Sequence, residues 1–201
     1  MLVASTRSIA PSSPELTADE LDPSTLELCR QGQRSALERF VRCYERRVFA
    51  FLSRALGYGL SVDDLAQEVF LRAYQALGQF EPGGPARLST WLLTIAYRVL
   101  IDARRRQRVI HLFPSVEQES TDTNDPERQL WTRELSAALA RAIAELPLDQ
   151  RDTFILAEFH HLSVTDIAKV TSTLESTVKT RLFRARGHLR VWLSDLWETN
   201  R

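Results

Sequence analysis

The sequence predicts an all-α protein of two small helical domains joined by a flexible acidic linker, and three observations predict it. Apolar residues recur at three- and four-residue spacing through two blocks, 25–108 and 128–197, with no strand-like alternation. The stretch between them, 109–127, holds "FPSVEQESTDTNDPE" and carries no Lys or Arg against Glu117, Glu119, Asp122, Asp125 and Glu127. The opening residues, 1–24, are rich in Ser, Thr and Pro without a helical apolar period, which predicts a disordered tail.

Composition narrows the function classes. With 44% hydrophobic residues in 201, either block can hold a core. No run approaches the roughly 18 apolar residues of a membrane span, and "MLVASTRSIAPSSP" lacks the apolar middle of a secretory signal. The expectation is a cytoplasmic protein with no membrane insertion. Cys29 and Cys43 have no metal-ligand spacing, and His111, His160, His161 and His188 have none with each other or with the acidic residues. No metal, cofactor or catalytic residue is therefore expected, and a metal-dependent nuclease lacks its constellation. The formal net charge of zero hides segregation, because acids concentrate in the tail and linker and leave the two blocks basic.

Within the first block, "SVDDLAQEVFLRAYQAL" opens with Ser61 and Asp64 at capping-box spacing and buries Ala66, Val69, Phe70, Ala73 and Leu77. The opposite stripe carries Asp64, Glu68, Leu71 and Gln75. Asp63, Asp64 and Glu68 could be read as metal ligands, but no histidine lies nearby and a helix N-terminus already favours acids. "STWLLTIAYRVLIDARRRQR" buries Leu92, Ile95, Ala96, Val99 and Ala103, and ends in Arg104, Arg105, Arg106 and Arg108, cations that suit the helix dipole.

The second block ends in helix-turn-helix spacing. A short helix capped by Ser163, with Asp166 three residues on, breaks near 171–173 before a helix whose buried stripe is Val178, Leu182, Ala185 and Leu189. At about 100° per residue, the opposite face presents Ser176, Thr180 and Arg184, flanked by Lys179 and Arg186 on one side and Thr177 and Arg181 on the other. Such a helix fits a major groove, with its outer face at base edges and flanking cations at phosphates. The plainer alternative is a solvated basic face on a core helix.

With these motifs in view, the chain resembles the extracytoplasmic-function (ECF) sigma factors of bacterial RNA polymerase, a branch of the sigma-70 family. "DDLAQEVFLRAYQAL" with "FEPGGPARLSTWLLTIAYRVLIDARRR" is similar to the family's region two, and "LPLDQRDTFILAEFHHLSVTDIAKVTSTLESTVKTRLFRARGHL" to region four. The resemblance implies an alternative sigma factor in a stress or envelope response, binding core polymerase at its β′ clamp and β flap. It implies clamp contacts at Asp63, Asp64, Gln67, Glu68, Leu71 and Gln75. Melted minus-ten DNA would meet Phe80, Leu88, Trp91, Tyr97 and Arg98, with Arg104, Arg105 and Arg106 on phosphates, although Phe80 and Trp91 can equally be partly core. The minus-thirty-five element would meet Ser176, Thr177, Lys179, Thr180, Arg181, Arg184 and Arg186. An anti-sigma protein is a further implied partner. A stand-alone helix-turn-helix regulator is the alternative, and it would bind DNA without polymerase.

The chain departs from the family pattern in several places. Tyr97 and Arg98 replace a usual Arg-Asn pair, Leu88 and Ser89 replace Phe-Arg, and Ser172 replaces the turn glycine. Ser172 can take the glycine's place or instead cap the recognition helix with Glu175 as partner. Charge segregation adds an expectation that the acidic tail and linker lie against the basic DNA-binding faces.

Overall fold

The computed structural model describes residues 20–56, 60–84, 86–107 and 126–199. Among them lie eight α-helices and no strand: α1 (Pro23–Arg30), α2 (Arg34–Ala55), α3 (Val62–Ala76), α4 (Leu88–Gln107), α5 (Pro126–Glu145), α6 (Leu148–Glu158), α7 (Val164–Thr171) and α8 (Glu175–Thr199). The predicted linker lies outside the described residues up to 125, and α5 begins at Pro126, two residues before the expected boundary.

The expected tail, 1–24, lies outside the described residues only up to 19, and its last residues are ordered. Asp22 caps α1 by accepting from the Thr25 amide at 2.8 Å, and Pro23 follows at the first helical position, where a missing N–H costs nothing. The Asp-Pro-Ser-Thr composition is thus a helix start. Glu20 accepts from the Ser89 hydroxyl and, at 3.1 Å, from the Tyr44 hydroxyl. The two tail acids among the described residues are thus engaged with α1, Arg39 of α2, Tyr44 and Ser89.

The core of the first part forms because α2 repeats large residues at one-turn spacing: Phe40, Tyr44, Val48, Phe51, Leu52 and Ala55 are all buried. They meet Leu65, Ala66, Val69 and Ala73 of α3 and Leu92, Ala96, Val99 and Ala103 of α4. Burying each large aliphatic side chain contributes about 1.5–3 kcal/mol, so a charge at Val48 or Val69 would break this part. Arg30 closes the end of α3 by donating to the carbonyls of Leu77 and Phe80, in and just after a 3₁₀ turn (Leu77–Gln79).

In the second part, Ile143, Leu146, Ile155, Leu156, Ile167, Val170, Val178, Leu182, Ala185 and Leu189 are buried together. Arg151 donates to the carbonyls of Ala144 and Leu146, satisfying the end of α5 across the Pro147 break. The two parts are not separate bodies. α6 packs on α2, α7 packs on α4, and the buried apolar residues form one continuous cluster.

Candidate nucleic-acid interface

The helix-turn-helix is built by α7, its turn and α8. Ser163 caps α7, accepting from the Asp166 amide at 3.1 Å. α7 ends at Ser172, whose backbone is left-handed (φ 53, ψ 46), and the Thr173 amide reaches back to the Ala168 carbonyl at 2.9 Å. Ser172 therefore does the glycine's work and does not cap α8. The supposed partner, Glu175, instead accepts from the Thr165 hydroxyl at 2.7 Å, tying the start of α8 to the start of α7.

α8 buries the four expected residues, and its outer face is open. Ser176, Lys179, Thr180 and Arg184 are exposed, and Thr177 is half-buried. Asp149, Ser176, Thr177, Thr180, Arg181 and Arg184 line one cleft of about 290 Å³. Two flanking cations are engaged. Arg181 is only 21% exposed and pairs with Asp149 at 3.0 Å, and Arg186 pairs with Glu158 at 2.7 Å.

Sequence reasoning missed Phe183, which is 80% exposed beside Arg184, and exposed Leu174 at the mouth of the turn. The helical projection that selected Arg184 places Phe183 equally far from the outward centre, so an aromatic on a polar face was the available signal. At that centre sits Gly187, where an added Cβ would meet nothing within 4 Å.

The minus-ten candidates divide by burial. Leu88 is buried beneath the start of α4 and cannot receive a base without unpacking, a correction to its expected role. Its neighbour Ser89 is the Glu20 partner, which accounts for a small hydroxyl at that position. Phe80 is also core, its ring tilted against half-buried Trp91 at 5.4 Å, so it falls on the packing side of the alternative. Arg98, Arg105 and Arg106 are exposed. Arg104 is not available: its side chain is 12% exposed and donates to both carboxylate oxygens of Asp152, at 2.6 and 2.9 Å, and to the Ala55 carbonyl. Tyr97 is half-buried, and burial pushes its phenol up.

On α3, Asp63, Asp64, Gln67, Leu71 and Gln75 share an exposed face, and Glu68 is half-buried in a 2.7 Å pair with Arg72, which also holds Asp102 of α4 at 3.1 Å. Leu71 is 53% exposed and Tyr74, which the sequence reading passed over, is 50% exposed. An apolar pair in an acidic frame is an arrangement typical of protein interfaces. Among the described residues, no three His, Cys, Asp or Glu side chains gather as a metal site, and no helix is long and apolar enough to cross a membrane.

Comparison with known proteins gives these surfaces a context. The family model Sigma-70 region 2 matches residues 40–109, and Sigma-70, region 4 matches 136–189. The RNA polymerase sigma-H factor of Pseudomonas aeruginosa is 30% identical over 185 residues, 85% of this chain and 93% of that protein. The ECF RNA polymerase sigma-E factor of Escherichia coli is 30% identical over 82% of this chain and 90% of its own. Among solved structures, the sigma factor RpoE of Bartonella quintana, in complex with the anti-sigma factor NepR, superposes with a TM-score of 0.64 at 23% identity, over 78% of this chain and 96% of that one. CnrH, in complex with the cytosolic domain of CnrY, gives 0.62 at 22% identity, over 86% of this chain and 96% of that one. The chain belongs to the sigma-70 family of RNA polymerase sigma factors, within its ECF group. It is a transcription-initiation subunit that directs RNA polymerase to promoters, and not an enzyme.

Proposed function

We propose that the protein divides promoter recognition between its two parts and acts in the cytoplasm, where polymerase works, in a stress or envelope response. The exposed α3 face, with Leu71 and Tyr74 at its centre and Asp63, Asp64, Gln67, Glu68 and Gln75 around them, docks on the β′ clamp of core polymerase, while the second part meets the β flap. The apolar pair supplies affinity and the charges set register. Trp91, Tyr97 and Arg98, with Arg104, Arg105 and Arg106 behind them, hold the melted minus-ten strand by stacking and phosphate contact. Opening DNA needs no chemistry from the chain, because binding the separated strand offsets the lost stacking.

The outer face of α8 enters the major groove at minus thirty-five. Ser176, Thr180 and Arg184 meet base edges, Phe183 offers an apolar surface to thymine methyls, and Lys179, Thr177, Arg181 and Arg186 meet phosphates. The observation that carries this reading is the left-handed Ser172 turn followed by a helix buried on one face and open on the other. A protein that occludes both parts, of the anti-sigma kind bound to the solved relatives, is the expected regulator.

Run-off transcription with purified core polymerase on a pool of promoter fragments tests the whole. Starts at a shared motif only in the presence of this protein are expected. Absence of such starts, with the protein alone shifting duplex DNA, would replace this reading by a stand-alone regulator.

A further inference from the structure

α6 places two carboxylates one turn apart, and each holds a cation from a different proposed DNA-binding surface. Asp149 pairs with Arg181 of α8 at 3.0 Å, and Asp152 takes Arg104 of α4 in a two-pronged pair at 2.6 and 2.9 Å. Half-buried Tyr97, two turns before Arg104 on α4, lies among the charges of Asp152, Arg181, Arg104 and Asp149. The surfaces meant for the minus-ten strand and the minus-thirty-five duplex are thus both turned toward α6.

We propose that Asp149 and Asp152 of α6 act as an intramolecular substitute for DNA phosphate, holding Arg104 and Arg181 so that the free protein withholds these two cations from promoter DNA. The inference rests on the reading above, in which those arginines meet phosphate. Carboxylate and phosphate both offer oxygen pairs that match the guanidinium fork, so DNA and α6 compete for the same donors.

At Asp152, burial makes the competition all-or-none. Asp152 is 2% exposed, and burial raises its carboxyl above the usual range while Arg104 opposes that shift. Were Arg104 to leave alone, Asp152 would lose its two-pronged hydrogen-bond partner and keep only the charge of Arg151, an unfavourable state for a buried carboxylate. Arg104 is freed only when α6 moves away as a body and Asp152 reaches water. The rest of the interface favours closure: His160 packs edge-on against Phe51 at 5.8 Å, and the Arg54 guanidinium sits over Phe159 at 4.6 Å. Core polymerase, by separating the two parts, would free Arg104 and uncover Tyr97 in one step, whereas Arg181, whose partner Asp149 is half exposed and on the same part, passes to phosphate by direct exchange.

The test uses the full chain without polymerase, with two readouts. Small-angle X-ray scattering gives the radius of gyration, and fluorescence anisotropy gives affinity for a labelled fork-junction DNA at low salt. Asp152→Asn and Arg104→Lys are the variants. The second leaves α6 intact and keeps a cation for phosphate while losing the fork, so it answers the question if Asp152→Asn fails to fold. Both are expected to expand the protein and tighten DNA binding by roughly tenfold or more, the factor by which a mostly closed population weakens apparent affinity. Unchanged compactness in both variants would overturn the latch, and expansion without tighter binding would overturn the masking. Arg105→Ala and Arg184→Ala separate this failure from failure of the functional reading. If they weaken DNA binding while Asp152→Asn does nothing, the reading stands and the latch falls. If they are silent in the opened variants too, the DNA-binding faces themselves are misassigned, and the latch falls with them.

Discussion

Replacing Ser172 by glycine should stabilise the protein without altering what it reads. Ser172 holds φ 53 and ψ 46, and its backbone N–H is directed at the Ala168 and Lys169 carbonyls that end α7. A side chain with a Cβ pays roughly 1–2 kcal/mol to sit in this left-handed region, whereas glycine occupies it freely. Glycine also loosens the unfolded chain, which takes back about 0.4–1 kcal/mol. The net gain is about 0.5–1 kcal/mol, a rise in Tm of roughly 1–4 °C for a chain of this length. Thermal unfolding followed by circular dichroism measures it, with Ser172→Val as the opposing control, since a β-branched residue is worst placed there. Promoter selection in run-off transcription should be unchanged, because α8 keeps its position. A lower Tm for the glycine variant, or a higher one for valine, would refute the argument that the turn is strained.

Other perturbations separate the remaining surfaces. Leu71→Glu should leave stability within about 0.5 kcal/mol, as expected of an exposed position, yet lower affinity for core polymerase about tenfold or more in a competition binding assay. Arg184→Ala should relax base preference at one minus-thirty-five position by about 1–3 kcal/mol, and Lys179→Ala should weaken binding to all sequences alike; equal losses from both would mean that α8 meets DNA through another face. Gly187→Ala should stabilise α8 by about 1 kcal/mol, since its Cβ meets nothing, but reduce promoter affinity if the centre of that face lies against DNA, so a rise in both would place the face away from the groove. His160 is held neutral with its pKa down at about 4, first by burial and then by Arg47, Arg54 and His161, against 6.5 in the unfolded chain. The unfolded state takes up a proton that the folded state refuses. Stability should therefore be full above pH 6.5 and fall by about 1.4 kcal/mol per unit as pH drops toward 4. Urea melts across that window measure the fall, and His160→Phe should flatten the part of it that His160 causes.

The elements legible in the sequence were those with both a cap and a one-sided apolar stripe. α3 and α7 start at the serines the capping pattern marked, and the stripe from Val178 to Leu189 is buried throughout. The start of α1 was placed two residues late because Asp-Pro-Ser-Thr reads as the end of a disordered tail, whereas those residues form the cap and the first turn. The contact between the two parts left no pattern to read. Gln150, Arg151, Asp152 and Thr153 are consecutive polar residues that look like a surface, and all are buried, the last of them fully. Their burial depends on partners far along the chain, such as Arg104, and a carboxylate destined for a buried pair looks in sequence like one destined for water. The same blindness placed Arg104 and Arg181 among the available cations and set Leu88 facing DNA.

The continuous apolar cluster shared by the two parts bears on the lifetime of the protein in a cell. While they pack together, α5 to α8 draw on the larger part for burial and should unfold with it in one transition. Once parted, those helices form a domain of about 70 residues, in the size range where chains bury only about three-fifths of their surface and stand close to unfolding. A separated molecule that finds neither polymerase nor DNA is then the form most open to proteolysis, since cleavage follows the population of opened chain. Turnover would fall hardest on molecules that have been released and not yet engaged, so the supply of active protein would track the supply of its partners.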